Sequence, residues 1–145
     1  MYENKVHFKN ENEKEQMLAI PVKKIIIDDA TSTMNNTVIL SGYPDYKDAF
    51  FQVITGGSKA NLLKKMNIII RELKIHNSPT ERKFELEERF YILINDKLFQ
   101  ENKNCTSLTE AFGKDSKISS FVSTNNIKCN KEKDLIRLVD FYNSY

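Results

Sequence analysis

The chain has 145 residues, 40% of them hydrophobic, which is the size and apolar content of one domain with a single core. Its 22 Lys and Arg nearly balance its 20 Asp and Glu, so the formal net charge of +2 gives the whole molecule little attraction for nucleic acid or an anionic membrane. Apolar runs such as Ile25–Ile27 and Ile68–Ile70 are far shorter than the roughly 20 residues that cross a bilayer, so no membrane-spanning segment is expected.

Alternation of apolar and polar residues predicts short strands in the first part of the chain. Val6 and Phe8 predict the first strand, and the polar residues 9–15 predict a turn after it. Residues 17–28 predict a strand, a break at Pro21 and a second strand. These short pieces favour antiparallel hairpins.

Strands are also predicted through the middle of the chain. The β-branched run Thr37–Leu40 lies between turn-rich segments and predicts one. Phe50–Thr55 predicts another, which ends at Gly56 and Gly57, a pair able to supply the positive φ of a tight turn. Residues 60–75 are ambiguous, because their apolar residues lie near helical spacing while the β-branched run within them favours a strand. We predict a strand there.

Alternation makes Phe84–Ile94 the clearest strand of the sequence, with Glu85 and Glu87 on the face opposite to the apolar residues. The pair at 95–96 is Asn-Asp and predicts a turn, followed by a return strand. The polar residues 76–80, which include a proline, form the best internal seam, although they are too few for a long linker.

The end of the chain carries helix signals. Ser107 and Glu110 have the spacing of a reciprocal capping box, and Gly113 is suited to end the first helix in the left-handed conformation. Asp115 and Asn130 are good N-caps for two more helices. Three short helices are therefore predicted, over about 107–113, 115–125 and 131–143.

The last helix has the strongest pattern. Its apolar residues recur at helical spacing and form one stripe, made of Leu135, Leu138, Val139 and Tyr142. A helix of this length is marginal in water by itself, so the stripe must dock on the sheet or on the other helices.

The predicted fold class is therefore α+β. We expect antiparallel hairpins or a small sheet over about 5–100, followed by the three helices. We also expect a single domain over 1–145, with a β-rich part at 1–104 and a helical C-terminal cap at 105–145.

No group of residues has the spacing of a catalytic, cofactor or metal site. His7 and His76 lie among polar residues, no serine lies in a GxSxG or SxxK motif, and the four glycines form no phosphate-binding loop. Glu85, Glu87 and Glu88 are close enough to pair for acid–base or metal work, but alternation divides them between two faces, which favours a solvated surface. We therefore expect no enzymatic activity, no cofactor and no metal.

Basic residues near aromatic ones loosely resemble a strand-based platform for nucleic acid. Acidic neighbours dilute this pattern, and lysines that keep strand edges soluble are the favoured interpretation. The residues concerned are Lys23, Lys24, Lys64, Lys65, Arg71 and Lys74, with Tyr46, Phe50 and Phe51.

Two cysteines, Cys105 and Cys129, are too few for a zinc site and lack CxxC spacing. Unpaired thiols are the favoured interpretation, and a disulfide between them is the alternative. Each cysteine shortly precedes a predicted helix, where a thiolate is stabilised, but no resolving cysteine or catalytic partner accompanies them. A structural role is therefore favoured over redox catalysis.

Three segments near the end of the chain carry a family resemblance. They are FYILINDKL at 90–98, SLTEAFGKD at 107–115 and DLIRLVDFYNS at 134–144. They resemble the C-terminal half of uncharacterised exported proteins common in Bacteroidetes, in which a hairpin YYL…NGKL, a helix LLKAFGDK and a terminal helix EEDLIKLVEYYNSL recur in this order. Upstream, FFQVITGG at 50–57 followed by LLKK at 62–65 is similar to the family hairpin FYEVLVDGKVKLLKK.

The resemblance implies an exported protein with a periplasmic or surface address, whose leader would precede Met1. The residues from Met1 to Lys5 lack the basic and then apolar stretch of a secretory leader, so a cytoplasmic address is expected if Met1 is the true start. The motifs of the resemblance are structural, and they imply no active-site residues.

The favoured function is a non-enzymatic extracytoplasmic module that binds another protein or an envelope component through an exposed sheet edge or a groove between sheet and helices. One alternative is a domain that binds single-stranded nucleic acid through the lysine-rich sheet. Another is an unrecognised hydrolase, which requires a pocket with convergent polar groups. Exposed strand edges also allow a dimer, but no residue pattern fixes the oligomeric state.

Overall fold

The structure is a computed structural model that describes residues 7–9, 12–17, 22–27, 37–47, 49–73, 81–101 and 105–145. The chain forms two compact units, Met1–Val53 and Ile54–Tyr145. The prediction of one domain over the whole chain stays a prediction. The two units are built from antiparallel strands, with a few helices near the C-terminus, so the α+β class is confirmed.

The first unit contains short antiparallel strands. Strand β1 (His7–Lys9) pairs with β2 (Glu15–Met17), which confirms the first predicted strand and the turn after it. Strand β3 (Lys24–Ile27) pairs with β4 (Thr37–Leu40), and the end of β4 pairs with the start of β5 (Phe51–Gly56). The predicted break at Pro21 lies outside the described residues.

A small aromatic cluster fills the interior of the first unit. The ring of Phe51 has no exposed surface. The rings of Tyr43 and Tyr46 meet it edge-on, with centroids 5.6 and 5.7 Å away. Edge-to-face contacts of this kind are the favoured geometry for aromatic pairs. A buried Phe51 does not fit the nucleic-acid platform that the basic and aromatic residues loosely resemble, which is already the less favoured interpretation of the sequence.

The second unit is organised around one long hairpin. Strands β6 (Ala60–Leu73) and β7 (Glu81–Ile94) pair in antiparallel register over 14 residues each, from Ala60 opposite Ile94 to Leu73 opposite Glu81. Strand β8 (Lys97–Gln100) returns alongside the end of β7, and the strand order is β5-β6-β7-β8. The strand predicted over 60–75 is therefore confirmed as far as residue 73.

Turn residues explain the tight connection between β7 and β8. Asn95 and Asp96 both have positive φ, 48° and 60°, as the two central residues of a type I′ hairpin turn require. Asn and Asp tolerate this conformation better than other residues that carry a Cβ. The turn predicted at 95–96 is confirmed.

The turn between β5 and β6 contradicts the prediction for its glycines. Neither Gly56 nor Gly57 has the positive φ expected of them. At Gly57 the reason for glycine is space, because a Cβ there would collide with the side chain of Asn143, which its own hydrogen bonds hold in place. At Gly56 a Cβ would meet only the end of the Asn61 side chain, which can turn away. Close approach of a fixed side chain, rather than backbone conformation, therefore favours glycine at position 57.

Three helices follow β8: α1 (Thr106–Ala111), α2 (Ser116–Thr124) and α3 (Glu132–Asn143). The prediction of Ser107 as the cap of α1 is wrong, because the helix begins one residue earlier with Cys105 at the N-cap position. Gly113 follows α1 with φ of 72°, so the predicted left-handed end is confirmed.

The remaining caps divide between a correct and an incorrect prediction. The Oδ1 atom of Asp115 accepts a hydrogen bond from the backbone N–H of Lys117 at 2.8 Å, as expected of an N-cap. Asn130 is not the cap of α3, since Lys131 occupies that position and makes no side-chain capping bond. Glu132 and Asp134 in the first turn of α3 supply favourable negative charge instead.

The three helices and one face of the long hairpin form the core of the second unit. The predicted stripe of α3 faces the sheet and the other helices: Leu135, Leu138 and Val139 are fully buried, and Tyr142 is half-buried and packs against them. The core consists of Ala60, Leu62, Phe90, Ile92 and Ile94 from the sheet, and Leu108, Phe112, Ile118, Ile127, Cys129, Leu135, Leu138 and Val139 from the helical part.

Candidate functional site

The register of the long hairpin places even-numbered residues of both strands on one face. Leu62 lies opposite Ile92, Ile68 opposite Leu86 and Ile70 opposite Phe84. Because side chains alternate between the two faces of a strand, these pairs share the face on which the helices pack. Apolar pairs therefore lie along this face, interrupted by Lys64 and Glu88 in the two rows between Leu62 and Ile68.

The helices cover only part of that row. Ala60, Leu62, Ile92 and Ile94 are at most 5% exposed, and Phe90 is 9% exposed. Farther along the same face five large apolar side chains are exposed, and we call these residues the ribbon face: Met66 (52%), Ile68 (73%), Ile70 (48%), Phe84 (63%) and Leu86 (61%). Isolated exposed apolar residues are common on proteins, but five neighbours on one sheet face are a patch that indicates a contact surface.

An ion-pair cluster marks the boundary between the covered and the exposed part. The Nζ atom of Lys64 lies 3.0 Å from Oε2 of Glu132, the first residue of α3, and 3.5 Å from Oε1 of Glu88. Burial alone would lower the pKa of Lys64, but the hydrogen bond and charge of Glu132, together with Glu88, outweigh it and raise the pKa. The N-terminus of α3 is thus fixed at Lys64.

The other end of α3 is fixed at the turn between β5 and β6. The side-chain oxygen of Asn143 accepts hydrogen bonds from the backbone N–H groups of Lys59 and Ala60 at 3.1 and 3.0 Å, and its amide nitrogen donates to the Ala60 carbonyl at 2.9 Å. One turn earlier, Thr55 donates a hydrogen bond to Asp140 at 2.9 Å. These contacts hold α3 over the start of β6 and away from the ribbon face.

The length of α3 explains why the helix covers β6 only as far as Lys64. A helix of 12 residues is about 18 Å long, whereas a strand of 14 residues is about 46 Å long. With both ends of α3 fixed between the β5–β6 turn and Lys64, the helix spans less than half of β6. Residues beyond Lys64 on this face are left to solvent.

The opposite face of the same ribbon has a different composition. Arg71 and Glu85 form an ion pair at 2.5 Å, and Arg89 and Glu87 form another at 3.1 Å. Glu88 lies on the other face with Lys64, so the predicted division of the three glutamates is confirmed. Ion-paired side chains of this kind can remain in water, whereas the apolar side chains of the ribbon face are stabilised by burial.

The predicted basic cluster is not gathered into one surface. Lys64 and Lys65 lie on opposite faces of β6, Lys64 and Arg71 are held in ion pairs, and Lys23 and Lys24 belong to the first unit. Lys74 lies outside the described residues. Positive charge that is already neutralised by carboxylates offers little to a phosphate backbone.

The two cysteines are joined in a disulfide, Cys105–Cys129, with Cα atoms 5.3 Å apart. The sequence favours unpaired thiols, since a separation of 24 residues carries no pairing signal. Packing of α1 and of the segment before α3 on the same sheet face brings the two positions together. The bond ties two parts of the helical cover to each other.

A second cluster of titratable groups lies at the C-terminal end of α3. The hydroxyl of Tyr145 donates a hydrogen bond to Oδ2 of Asp115 at 2.9 Å, and the Nζ atoms of Lys59 and Lys117 lie 4.7 and 4.8 Å from the centre of its ring. Burial, followed by the hydrogen bond to Asp115, raises the pKa of Tyr145 to about 12. The hydrogen bond from Lys117 N–H, then that from Tyr145, lowers the pKa of Asp115. The cluster connects the start of α2 to the end of α3.

The predicted candidates for chemistry stay apart. His7 pairs with Glu15 at 3.0 Å on the surface of the first unit, and His76 lies outside the described residues. Among the residues that the structure describes, no group of three or more His, Cys, Asp or Glu side chains is placed to hold a metal ion. In the same residues no helix is long and apolar enough to cross a membrane.

Comparison with known proteins adds no relative to this description. No family model, no curated protein and no solved structure matches the chain. The ribbon face therefore has to be interpreted from its own geometry.

Proposed function

We propose that this protein is a non-enzymatic interaction module that binds another protein chain through the ribbon face. The observation that carries the proposal is the exposure of five large apolar side chains side by side on an ordered sheet face. Soluble proteins seldom expose a contiguous apolar patch larger than a few hundred Å² unless another surface covers it in the functional state.

We further propose an extracytoplasmic address for the module. The Cys105–Cys129 disulfide supports it, because disulfides persist in oxidising compartments and are rare in the reducing cytosol. The resemblance of the C-terminal segments to exported proteins supports the same address.

A site-specific photo-crosslinking experiment tests the binding function. Phe84 is replaced by p-benzoylphenylalanine, and Lys83 is replaced in the same way as the matched control, because it neighbours Phe84 on the opposite face of β7. In the native organism we expect irradiation to attach another protein chain at position 84 and not at position 83. Equal labelling at the two positions, or none at 84, would contradict the proposal.

A further inference from the structure

The ribbon face is ordered as four consecutive rows of paired residues. Met66 pairs with Glu88, Ile68 with Leu86, Ile70 with Phe84, and Glu72 with Arg82. The two middle rows are entirely apolar. One outer row contains an apolar and an acidic residue, and the other contains the ion pair between Arg82 and Glu72 at 3.2 Å. The apolar rows are therefore symmetric about the point midway between them, with charged groups at both ends.

Symmetry of this kind suits a second copy of the same face. A two-fold axis through the midpoint, lying across the strands, places the apolar rows of one copy on the apolar rows of the other. The same operation places Glu88 of each copy opposite Arg82 of the other, and Met66 opposite Glu72. Arg82 is ion-paired with Glu72 in its own chain at 3.2 Å, and Glu88 with Lys64 at 3.5 Å, so a contact between Glu88 and Arg82 of two copies would join existing ion pairs into one network. The interface is therefore self-complementary in its apolar rows, and the charges that meet at each end are unlike.

The area of the ribbon face is sufficient for such a contact. At roughly 150–250 Å² for a large side chain, five side chains exposed by about half to three quarters present on the order of 500 Å². Two copies in contact would remove about 1,000 Å² from water, which is the lower limit for a specific protein–protein interface. We expect dissociation at micromolar rather than nanomolar concentrations, because the area is at this limit.

We propose that the partner of the ribbon face is a second copy of this chain, packed face to face with its strands antiparallel to the first. This inference rests on the proposed function and names its partner. The exposed apolar rows become the core of a two-layer β-sandwich, in which facing sheets lie about 10 Å apart. Glu88 and Arg82 of the two copies flank that core.

The test is sedimentation equilibrium of the full chain over a concentration series from low to high micromolar. The unchanged protein is expected to pass from monomer to dimer within this series. Leu86→Asp places a charge in a middle row and should keep the protein monomeric throughout. The control Lys83→Asp introduces the same side chain on the opposite face of β7 and should dimerise like the unchanged protein.

A double-mutant cycle with neutral side chains tests the antiparallel arrangement. Arg82→Gln and Glu88→Gln should each weaken dimerisation severalfold, and R82Q/E88Q should weaken it no more than either single variant, because each change removes the same contact between copies. The two positions lie six residues apart on one strand, roughly 20 Å, and have different partners within the chain, so loss of their intrachain ion pairs should add rather than overlap. Non-additivity therefore reports contact between copies.

The outcomes separate this inference from the proposed function. A protein that stays monomeric at every concentration, while Phe84 crosslinks to a different protein, overturns the second copy as partner and leaves the binding function in place. A dimer that Leu86→Asp does not weaken, or one in which the double charge variant loses the product of the two single losses, also overturns the proposed packing. Absence of both dimer and crosslink overturns the two proposals together.

Discussion

The two halves of the long hairpin have the same strands, the same register and the same apolar face, yet one half is core and the other is surface. Ile92 is fully buried, whereas Ile68, on the same face of the neighbouring strand, is 73% exposed. The difference comes from α3, which ends its cover at Lys64. An apolar strand pattern therefore shows only that burial would stabilise that face of the strand. Whether the same chain buries the face depends on the length of the helix that packs on it.

Truncation of matched isoleucines should give the largest contrast between the halves. Ile92→Ala removes packed atoms from the core and should lower the free energy of unfolding by about 3–4 kcal/mol. Ile68→Ala should lower it by about 1 kcal/mol at most, through strand propensity alone, when the protein is dilute enough to be monomeric. Urea unfolding measures both. Equal losses would show that the ribbon face is packed within its own chain.

Removal of the disulfide should loosen the covered half and leave the exposed half unchanged. Replacing both Cys105 and Cys129 by serine should cost about 3 kcal/mol, because the bond closes a loop of 24 residues in the unfolded chain. Thermal or urea unfolding gives the loss. Hydrogen exchange should then be faster in the helices, while amides in the part of the hairpin beyond Lys64 keep their rates.

Loss of the hydrogen bonds that hold the end of α3 at the β5–β6 turn should lower the free energy of unfolding by a smaller amount. Asn143→Ala leaves the backbone N–H groups of Lys59 and Ala60 without their acceptor and should cost about 1–2 kcal/mol. The neighbouring Ser144→Ala removes only a local, exposed hydrogen bond and serves as the control. If the two variants unfold at the same urea concentration, Asn143 does not hold the helix in place.

The ion pairs of Lys64 at the boundary should make the smallest contribution to the free energy of unfolding, and this contribution depends on pH. Since its pKa is raised in the folded state, its stabilisation is complete below the unfolded value of 10.5 and is lost as pH rises through the folded value. Glu132 and Glu88 are partly exposed, so solvent screening limits the contribution to about 0.5 kcal/mol.

Comparison of the unchanged protein with Lys64→Met across alkaline pH measures this term. The difference in unfolding free energy between the two should shrink as pH rises. Arg71→Met is the control: it also removes a cation from an ion pair on the hairpin, but arginine side chains in proteins keep their charge throughout this range, so its variant should show no such convergence. Parallel pH profiles for all three proteins would contradict the assignment of the boundary to Lys64.

Sequence reasoning was successful wherever periodicity alone decides the structure. Alternation at Phe84–Ile94 and the apolar stripe of α3 depend on local spacing, and both elements form as predicted. The identity of residues 60–73 as a strand followed from β-branching against a competing helical spacing. These features are encoded within a few neighbouring residues.

Features that depend on distant residues were not predictable in this way. The glycine at 57 is needed because the side chain of Asn143 approaches it, and Asn143 is more than eighty residues away in the chain. The pairing of Cys105 with Cys129 depends on how the helices pack. Phe84 and Phe90 have the same place in the alternation, so no local signal shows that only Phe90 is covered.

Hydroxyl-radical footprinting of the purified protein at low and high concentration tests the central claim most directly, because it reads the solvent exposure of Met66, Phe84 and Phe90 in one experiment. At low concentration we expect rapid oxidation of Met66 and Phe84 and slow oxidation of Phe90. At high concentration Met66 and Phe84 should become protected while Phe90 stays unchanged. Slow oxidation of Phe84 in the dilute protein, or oxidation that does not depend on concentration, would contradict the claim.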